Sequence, residues 1–216
     1  MAGDEFNIND IISGFLSAKS SELGKFFGDG IRKTGNTISV KTKKKYTTYL
    51  QIVASNYGKT RTFFFHDNPK PLYEFYVPVD IKYGNENLLS VSIMDIMKKI
   101  RFAVIRGTGG SGKSVLLKHL LLDSIMAKYK VPIILELRDA KVQKEGIYQS
   151  LFNGLNTFKL DVDNDYFKKS LIEGHYLVLL DGLDEVAPMD RINLIKDIEA
   201  FAKTYDNCSY ILTSRR

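Results

Sequence analysis

The second half of the chain alternates short apolar runs with longer amphipathic segments. The apolar runs lie at Phe102–Ile105, Pro132–Leu137, Tyr176–Leu180 and Tyr210–Thr213. Each run is nearly continuous, which is typical of strands that are covered on both faces of a parallel sheet. The segments between and after them predict helices at Lys113–Lys128, Ile147–Leu155, Tyr166–Glu173 and Arg191–Tyr205. Residues 101–216 are therefore predicted to form an α/β domain built on a parallel sheet.

Residues 1–62 are predicted to form a small helical region. The apolar residues of a first helix share one face: Ile8, Ile11, Ile12, Phe15, Leu16, Leu23, Phe26 and Phe27. This face suits packing in a helix bundle, oligomerisation or membrane contact. A second helix is predicted from about Tyr46 to Tyr57, after a basic run at Lys41–Lys45. That run, with Tyr46 and Tyr49, suits either a solvated surface or nucleic-acid binding through phosphate contacts and stacking.

Residues 63–100 are predicted to be a linker that leads into the main domain. The segment Pro71–Tyr83 is rich in proline and aromatic residues, which favours an extended stretch or a short strand at the edge of a sheet. A short helix, indicated by the spacing of Ile93, Ile96 and Ile100, is predicted just before Arg101.

The composition narrows the functional class. The net charge of +6 suits an anionic ligand without requiring nucleic acid. The single cysteine, Cys208, excludes a disulfide framework and fits a reducing compartment. The sequence has neither a transmembrane-length apolar run nor a secretory signal. We therefore expect a cytoplasmic protein without a transmembrane segment.

A glycine-rich motif follows the first predicted strand of the main domain. It has the P-loop pattern G-x-x-x-x-G-K-[ST] and consists of Gly107, Thr108, Gly109, Gly110, Ser111, Gly112, Lys113 and Ser114. The glycines allow backbone N–H groups to surround an anion, and the following helix directs its positive end towards the same point. Lys113 is expected to contact the β- and γ-phosphates of a nucleotide, and the Ser114 hydroxyl to bind Mg²⁺.

An acidic cluster follows the third predicted strand. Asp181 ends the apolar run Tyr176–Leu180, as in a Walker B motif, so that its carboxylate is carried to the edge of the sheet where ligands bind. We expect Asp181 to hold Mg²⁺ opposite Ser114. Two more acids, Asp184 and Glu185, are placed to orient or deprotonate the attacking water, with Asp184 slightly favoured.

Two arginines follow the last predicted strand, Arg215 and Arg216. A guanidinium at this edge is able to sense or stabilise the charge of a γ-phosphate. Arg215 is the stronger candidate, because it lies closer to the end of the strand.

Together these motifs resemble a NACHT domain, a branch of the STAND class of P-loop ATPases. The resemblance is carried by GTGGSGKS, VPIILELRD, LLDGLDE and ILTSRR, and it covers about Tyr76 to Arg216. It implies that the last strand lies between the P-loop strand and the Walker B strand. It also implies that Asp181 binds Mg²⁺, that Asp184 or Glu185 assists hydrolysis, and that Arg215 is the sensor arginine.

The function implied by the resemblance is that of a molecular switch. Such proteins bind ATP or ADP with Mg²⁺, hydrolyse ATP slowly and oligomerise when they sense a trigger, for example a viral protein. Bacterial members act in antiviral defence and are similar to inflammasome-type receptors. Because the lid, winged-helix and repeat regions of the family are not found in this sequence, we expect the chain to be the N-terminal part of a longer protein.

Two other functions fit the sequence less well than the switch. An AAA+-like motor or loader acting on nucleic acid normally has its glutamate directly after the metal aspartate, whereas Gly182 and Leu183 intervene here. A small-molecule kinase is disfavoured because the sequence shows no substrate acid and no cluster of lid arginines. A switch is expected to differ from a motor in that a nucleic-acid polymer does not stimulate its turnover.

Overall fold

The computed structural model describes residues 8–19, 40–60 and 70–215. Within these ranges the chain forms seven α-helices: α1 (Ile8–Ala18), α2 (Val40–Tyr57), α3 (Ile93–Met97), α4 (Lys113–Met126), α5 (Ala140–Thr157), α6 (Asn164–Ile172) and α7 (Pro188–Thr204). The strands of the same ranges are β1 (Lys59–Thr60), β2 (Lys70–Pro71), β3 (Ile81–Tyr83), β4 (Glu86–Leu88), β5 (Phe102–Arg106), β6 (Val131–Glu136), β7 (Tyr176–Asp181) and β8 (Ser209–Ser214). Short 3₁₀ helices lie at Leu72–Glu74 and Leu183–Glu185.

The main sheet has four parallel strands in the order β5-β8-β7-β6. All four predicted strands are present, and their ends differ from the prediction by at most one residue. β8 lies between β5 and β7, which is the order that the resemblance implied. The α/β class is therefore confirmed. An all-parallel sheet of this kind is compatible with a Rossmann-like core as well as with a P-loop core.

The connections between these strands create a crevice at one edge of the sheet. The chain crosses from β5 to β6 through α4 and then returns through β7 to β8. Because such connections are right-handed, the reversal places α4 on one face and α5 and α7 on the other. The carboxyl ends of β5 and β8 lie side by side, with Ile105 opposite Thr213. Ligands of open α/β sheets bind where the strand order reverses in this way.

Helix α1 packs on its own chain through the apolar face that the sequence predicted. Ile12, Phe15 and Leu16 are buried in the hydrophobic core, and the helix contacts α2 and α4. The bundle-packing interpretation is thus confirmed for this part of the face, while Leu23, Phe26 and Phe27 lie outside the described residues. None of the described helices combines the length and apolar character that crossing a membrane requires.

Helix α2 begins earlier than predicted. It starts at Val40, so the basic run Lys41–Lys45 lies inside the helix and does not precede it, in keeping with the good helix propensity of lysine. Tyr46 and Tyr49 are fully buried. The hydroxyls of Tyr46 and Tyr166 lie 2.5 Å apart, and the Tyr49 hydroxyl donates to the carbonyl oxygen of Pro132 at 2.7 Å. The suggested stacking of these two rings on nucleic-acid bases is therefore wrong.

All four helices predicted for the main domain are present, and α5 is the one that extends furthest beyond its predicted range. α5 contains the predicted segment Ile147–Leu155 but begins at Ala140, and the backbone leaves the helical conformation at Gly146 (φ 78°, ψ 170°). An acid from α7 caps the part after this break, because Asp197 Oδ2 accepts from the Ile147 backbone N–H at 2.7 Å. α7 begins at Pro188, at a position in the first turn that suits proline.

The segment between the N-terminal helices and β5 differs from the prediction. Pro71–Tyr83 is only partly extended: it includes the end of β2, the 3₁₀ helix at Leu72–Glu74 and all of β3. β3 pairs with β4 in an antiparallel hairpin that the sequence analysis missed. The short helix before Arg101 is present as α3. The predicted boundary near residue 62 lies outside the described residues.

Candidate functional site

The glycine-rich loop connects β5 to α4 at the crevice. Its last residue, Gly112, has a left-handed backbone (φ 81°) and directly precedes the first residue of α4, Lys113. A non-glycine residue would be strained at this φ. α4 runs for 14 residues, so its first N–H groups and helix dipole can stabilise negative charge at the loop.

Lys113 lies against the loop that precedes it. Its ammonium donates to the carbonyl oxygens of Gly107 and Thr108 at 3.2 and 3.0 Å. A methyl group on Gly107 would come within 2.6 Å of the Ser111 hydroxyl, so this close arrangement requires a glycine there or a shift of Ser111. The two hydrogen bonds hold the Lys113 ammonium against the start of the glycine-rich loop.

Asp181 is fixed in orientation by Thr213. The Thr213 hydroxyl donates to Asp181 Oδ1 at 2.6 Å and accepts from the Gly182 N–H at 2.8 Å. Thr213 is completely buried at the end of β8, next to the strand that carries Asp181. One hydroxyl therefore ties the carboxylate and the backbone that follows it to the neighbouring strand.

The turn after β7 brings the next two acids to the same edge. Gly182 has a positive φ of 77°, which turns the chain into the 3₁₀ helix at Leu183–Glu185. The guanidinium of Arg191, from the first turn of α7, donates to the carbonyl oxygens of Asp184 and Val186 at 3.0 and 2.7 Å. The turn that carries the acids is thus fastened to α7.

The two acids have different arginine partners. Asp184, only 12% exposed, accepts from Arg215 Nε at 2.7 Å. Glu185, 43% exposed, lies 3.2 Å from Arg138, whose guanidinium also donates to Glu136 at 3.0 Å. The hydrogen bond to Glu136, together with both negative charges, raises the pKa of Arg138. Asp184 is therefore the more enclosed acid of the two.

Two adjoining cavities meet at the glycine-rich loop. The smaller one, of about 310 Å³, brings together nearly all of the site residues that the sequence predicted: Gly109, Gly110, Ser111, Gly112, Lys113, Ser114, Asp181, Asp184, Glu185 and Arg215. A larger cavity of about 460 Å³ lies between the β3–β4 hairpin and β5, and it shares Ser111 and Lys113 with the smaller one. Gly107 lines only the larger cavity, and Thr108 lines neither. Arg216 lies outside the described residues.

Three residues that support the site were missed by the sequence analysis. Thr213 is known from the sequence only as the last residue of a predicted strand, and neither Arg138 nor Arg191 belongs to the predicted site. β8 pairs with β7 so that Leu212 lies opposite Leu180. The next residue of β8, Thr213, is therefore a neighbour of Asp181, and the strand register identifies it as a supporting residue. No local pattern identifies Arg138, since its partner Glu185 lies 47 residues away.

Of the described cysteine and histidine residues, Cys208, His119 and His175, none lines either cavity. Cys208 is buried, donates to the Leu171 carbonyl oxygen at 3.3 Å and has a pKa raised by burial, as expected of a core thiol. His66 lies outside the described residues. In the part of the chain that the structure describes, no three His, Cys, Asp or Glu side chains form a metal-binding group.

No family model matches the chain, and a search of the curated proteins gives no match. The functional proposal therefore depends on the motifs and on the geometry described above.

Proposed function

We propose that the chain is the nucleotide-binding part of a NACHT-type, STAND-class molecular switch, which binds ATP or ADP with Mg²⁺ and hydrolyses ATP slowly. The observation that carries this proposal is the smaller cavity. A glycine-rich helix start, a lysine, an aspartate at a strand end and an arginine line one space of about 310 Å³. This combination provides positive groups for phosphates and oxygen ligands for a hard cation.

The phosphates are proposed to lie against the loop and the start of α4. The backbone N–H groups of Gly109–Ser114 and the Lys113 ammonium provide donors for phosphate oxygens. Lys113 would exchange its present carbonyl partners for phosphate oxygens, which are stronger acceptors because they are charged.

The residues present fit a magnesium ion. Ser114 and Asp181 offer a hydroxyl and a carboxylate in the same cavity, and Thr213 binds only one of the two carboxylate oxygens. Mg²⁺ bound to a nucleotide takes few protein ligands and completes its shell with phosphate oxygens and water, so these two side chains suffice. When bound, Mg²⁺ would neutralise charge on the β- and γ-phosphate oxygens.

Asp184 is proposed to orient the attacking water, and Arg215 to sense the γ-phosphate. Both line the cavity, and their ion pair joins the acidic turn to the end of β8. Glu185 is the other candidate for the water-orienting acid, and its contact with Arg138 fixes it in a more exposed position. Slow hydrolysis is what the sequence resemblance implies, while each acid is engaged by an arginine in the ligand-free site.

The base and ribose are proposed to enter the larger cavity. It adjoins the loop, and apolar residues of β5, α3 and the hairpin line much of it. Cofactor sites commonly pair an apolar cleft with a few well-placed polar groups. Oligomerisation upon sensing a trigger, such as a viral protein, belongs to the same proposal and depends on the sequence resemblance alone.

A nucleotide titration of Lys113→Ala tests this function. Loss of the ammonium is expected to weaken ATP binding by at least about tenfold, which corresponds to about 1.4 kcal/mol. Lys118→Ala is the matched control, because Lys118 lies on the same helix and lines neither cavity. Equal affinities for wild type and Lys113→Ala would contradict the proposed phosphate site.

A further inference from the structure

The wall of the larger cavity is attached to α4 at two points. We define the strap as residues 72–93, which include the 3₁₀ helix at Leu72–Glu74, the β3–β4 hairpin and the first residue of α3. Near its two ends the strap meets α4 at His119 and at Asp123. These two residues are four positions apart and so lie on the same face of the helix. The same helix begins at Lys113, which lines both cavities.

The first attachment is a stack of aromatic rings. The Tyr76 ring lies parallel to the His119 imidazole, with centroids 4.4 Å apart and planes at 20°. Tyr73 approaches the same imidazole edge-on at 5.9 Å, and its hydroxyl lies 3.2 Å from His119 Nδ1. One imidazole thus holds two rings from the start of the strap.

The second attachment is a hydrogen bond at the start of α3. Asp123 Oδ2 accepts from the Ile93 N–H at 2.6 Å. Ser92 caps the same helix start through a reciprocal pair of bonds with Asp95. Val91, just before the cap, is fully buried. The end of the strap is therefore attached to α4 as well as its beginning.

Between the two attachments the strap forms one side of the larger cavity. Residues 79–83 and Leu88 face Ala103–Gly107 of β5 and the loop across this space. Among the described residues β3 and β4 pair with each other and with no strand of the main sheet, while Glu86 forms an ion pair with Lys99 and the side chains of Ile81 and Leu88 pack against the core. The contacts at its two ends add to these and tie the wall to α4, the helix that begins at the glycine-rich loop.

We propose that Tyr76 and His119 are positioning residues that hold the strap where it contacts the base and ribose of the nucleotide, and so control affinity for the nucleoside part without affecting the phosphates. This inference depends on the proposed function. It assigns nucleoside selectivity to a ring stack outside the glycine-rich loop. The contact of Tyr76 with His119 is made by the aromatic ring, so a phenylalanine at this position would keep it.

The test compares two ligands on the same protein. ATP carries base, ribose and phosphates, whereas inorganic tripolyphosphate carries the phosphates alone, and both are titrated with Mg²⁺. Tyr76→Ala and His119→Ala are expected to raise the Kd for ATP at least tenfold and to change the Kd for tripolyphosphate less than twofold. Tyr76→Phe, which keeps the ring, is expected to bind both ligands as wild type does.

The outcomes distinguish failure of this inference from failure of the proposed nucleotide-binding function. If Tyr76→Ala and His119→Ala weaken both ligands equally, or neither, the positioning role is wrong while the nucleotide site stands. If wild type binds neither ligand, both proposals fail.

Hydrogen exchange of the wild type provides a second measurement that needs no variant. ATP should protect the amides of residues 79–88 and tripolyphosphate should not. Equal protection by the two ligands would overturn the inference.

Discussion

Replacing Thr213 by valine removes one buried hydroxyl and leaves the side-chain size almost unchanged. In the wild type that hydroxyl accepts from the Gly182 N–H at 2.8 Å and donates to Asp181 Oδ1 at 2.6 Å. Valine leaves the N–H without a partner, at a cost of about 1–3 kcal/mol, and removes a hydrogen bond to a charged group worth about 1.5–3 kcal/mol. Because both effects involve one atom, we expect a combined loss of about 2–4 kcal/mol rather than their full sum.

Urea unfolding of the ligand-free protein measures this loss. With a slope of about 2 kcal/mol per molar urea, the midpoint is expected to fall by about 1–2 M. Thr213→Ser is the control, because it keeps the hydroxyl and loses one methyl group worth about 1 kcal/mol. The valine variant should therefore be clearly less stable than the serine variant. If valine matches serine or the wild type, the hydroxyl does not bridge the two strands, and the account of how Asp181 is oriented is refuted.

The remaining predictions concern the acids and one histidine. Asp181→Asn is expected to weaken Mg²⁺-dependent ATP retention, whereas Asp184→Asn should leave binding intact and slow ATP hydrolysis. Equal loss of binding in both, or loss of turnover in Glu185→Gln alone, would show that these roles are wrongly assigned. Burial lowers the pKa of His119, and the carboxylate of Asp123 only partly opposes it. The folded protein therefore favours the neutral imidazole. Its contribution to the free energy of unfolding is fully present above about pH 6.5, the pKa of histidine in the unfolded chain, and is lost as the pH falls below that value. Between pH 7.5 and 5.5 the melting temperature should fall further in wild type than in His119→Phe, and equal falls would contradict this.

The main sheet could be predicted because its signal is local. Each strand is a continuous apolar run, and the residue after such a run must appear at the carboxyl edge, as Asp181 does. The order of the strands does not follow from the runs themselves. It was obtained from the resemblance, since any of several orders would bury the same residues.

The β3–β4 hairpin was missed although its turn is visible in the sequence. Gly84 and Asn85 form a two-residue loop between Tyr83 and Glu86, and Gly84 has a positive φ of 60°. Glycine at the first turn position is a hairpin signal. The nearby prolines favoured a linker instead, because the strands on either side are too short and polar to stand out.

The supporting residues of the site could not be predicted, for a different reason. Arg191 binds backbone carbonyls, which carry no sequence signature, and Arg138 meets Glu185 only after β6 and β7 have paired. The stack of Tyr76 on His119 likewise joins residues 43 positions apart. Such contacts arise from the packed fold and are absent from any local pattern.

A crystal structure of the protein with Mg²⁺ and a non-hydrolysable ATP analogue tests the central proposal most directly. The account predicts the triphosphate against the N–H groups of Gly109–Ser114, the metal between Ser114 and Asp181, and the base in the larger cavity beside the strap. An analogue bound elsewhere on the protein, or none bound at a saturating concentration, would contradict it.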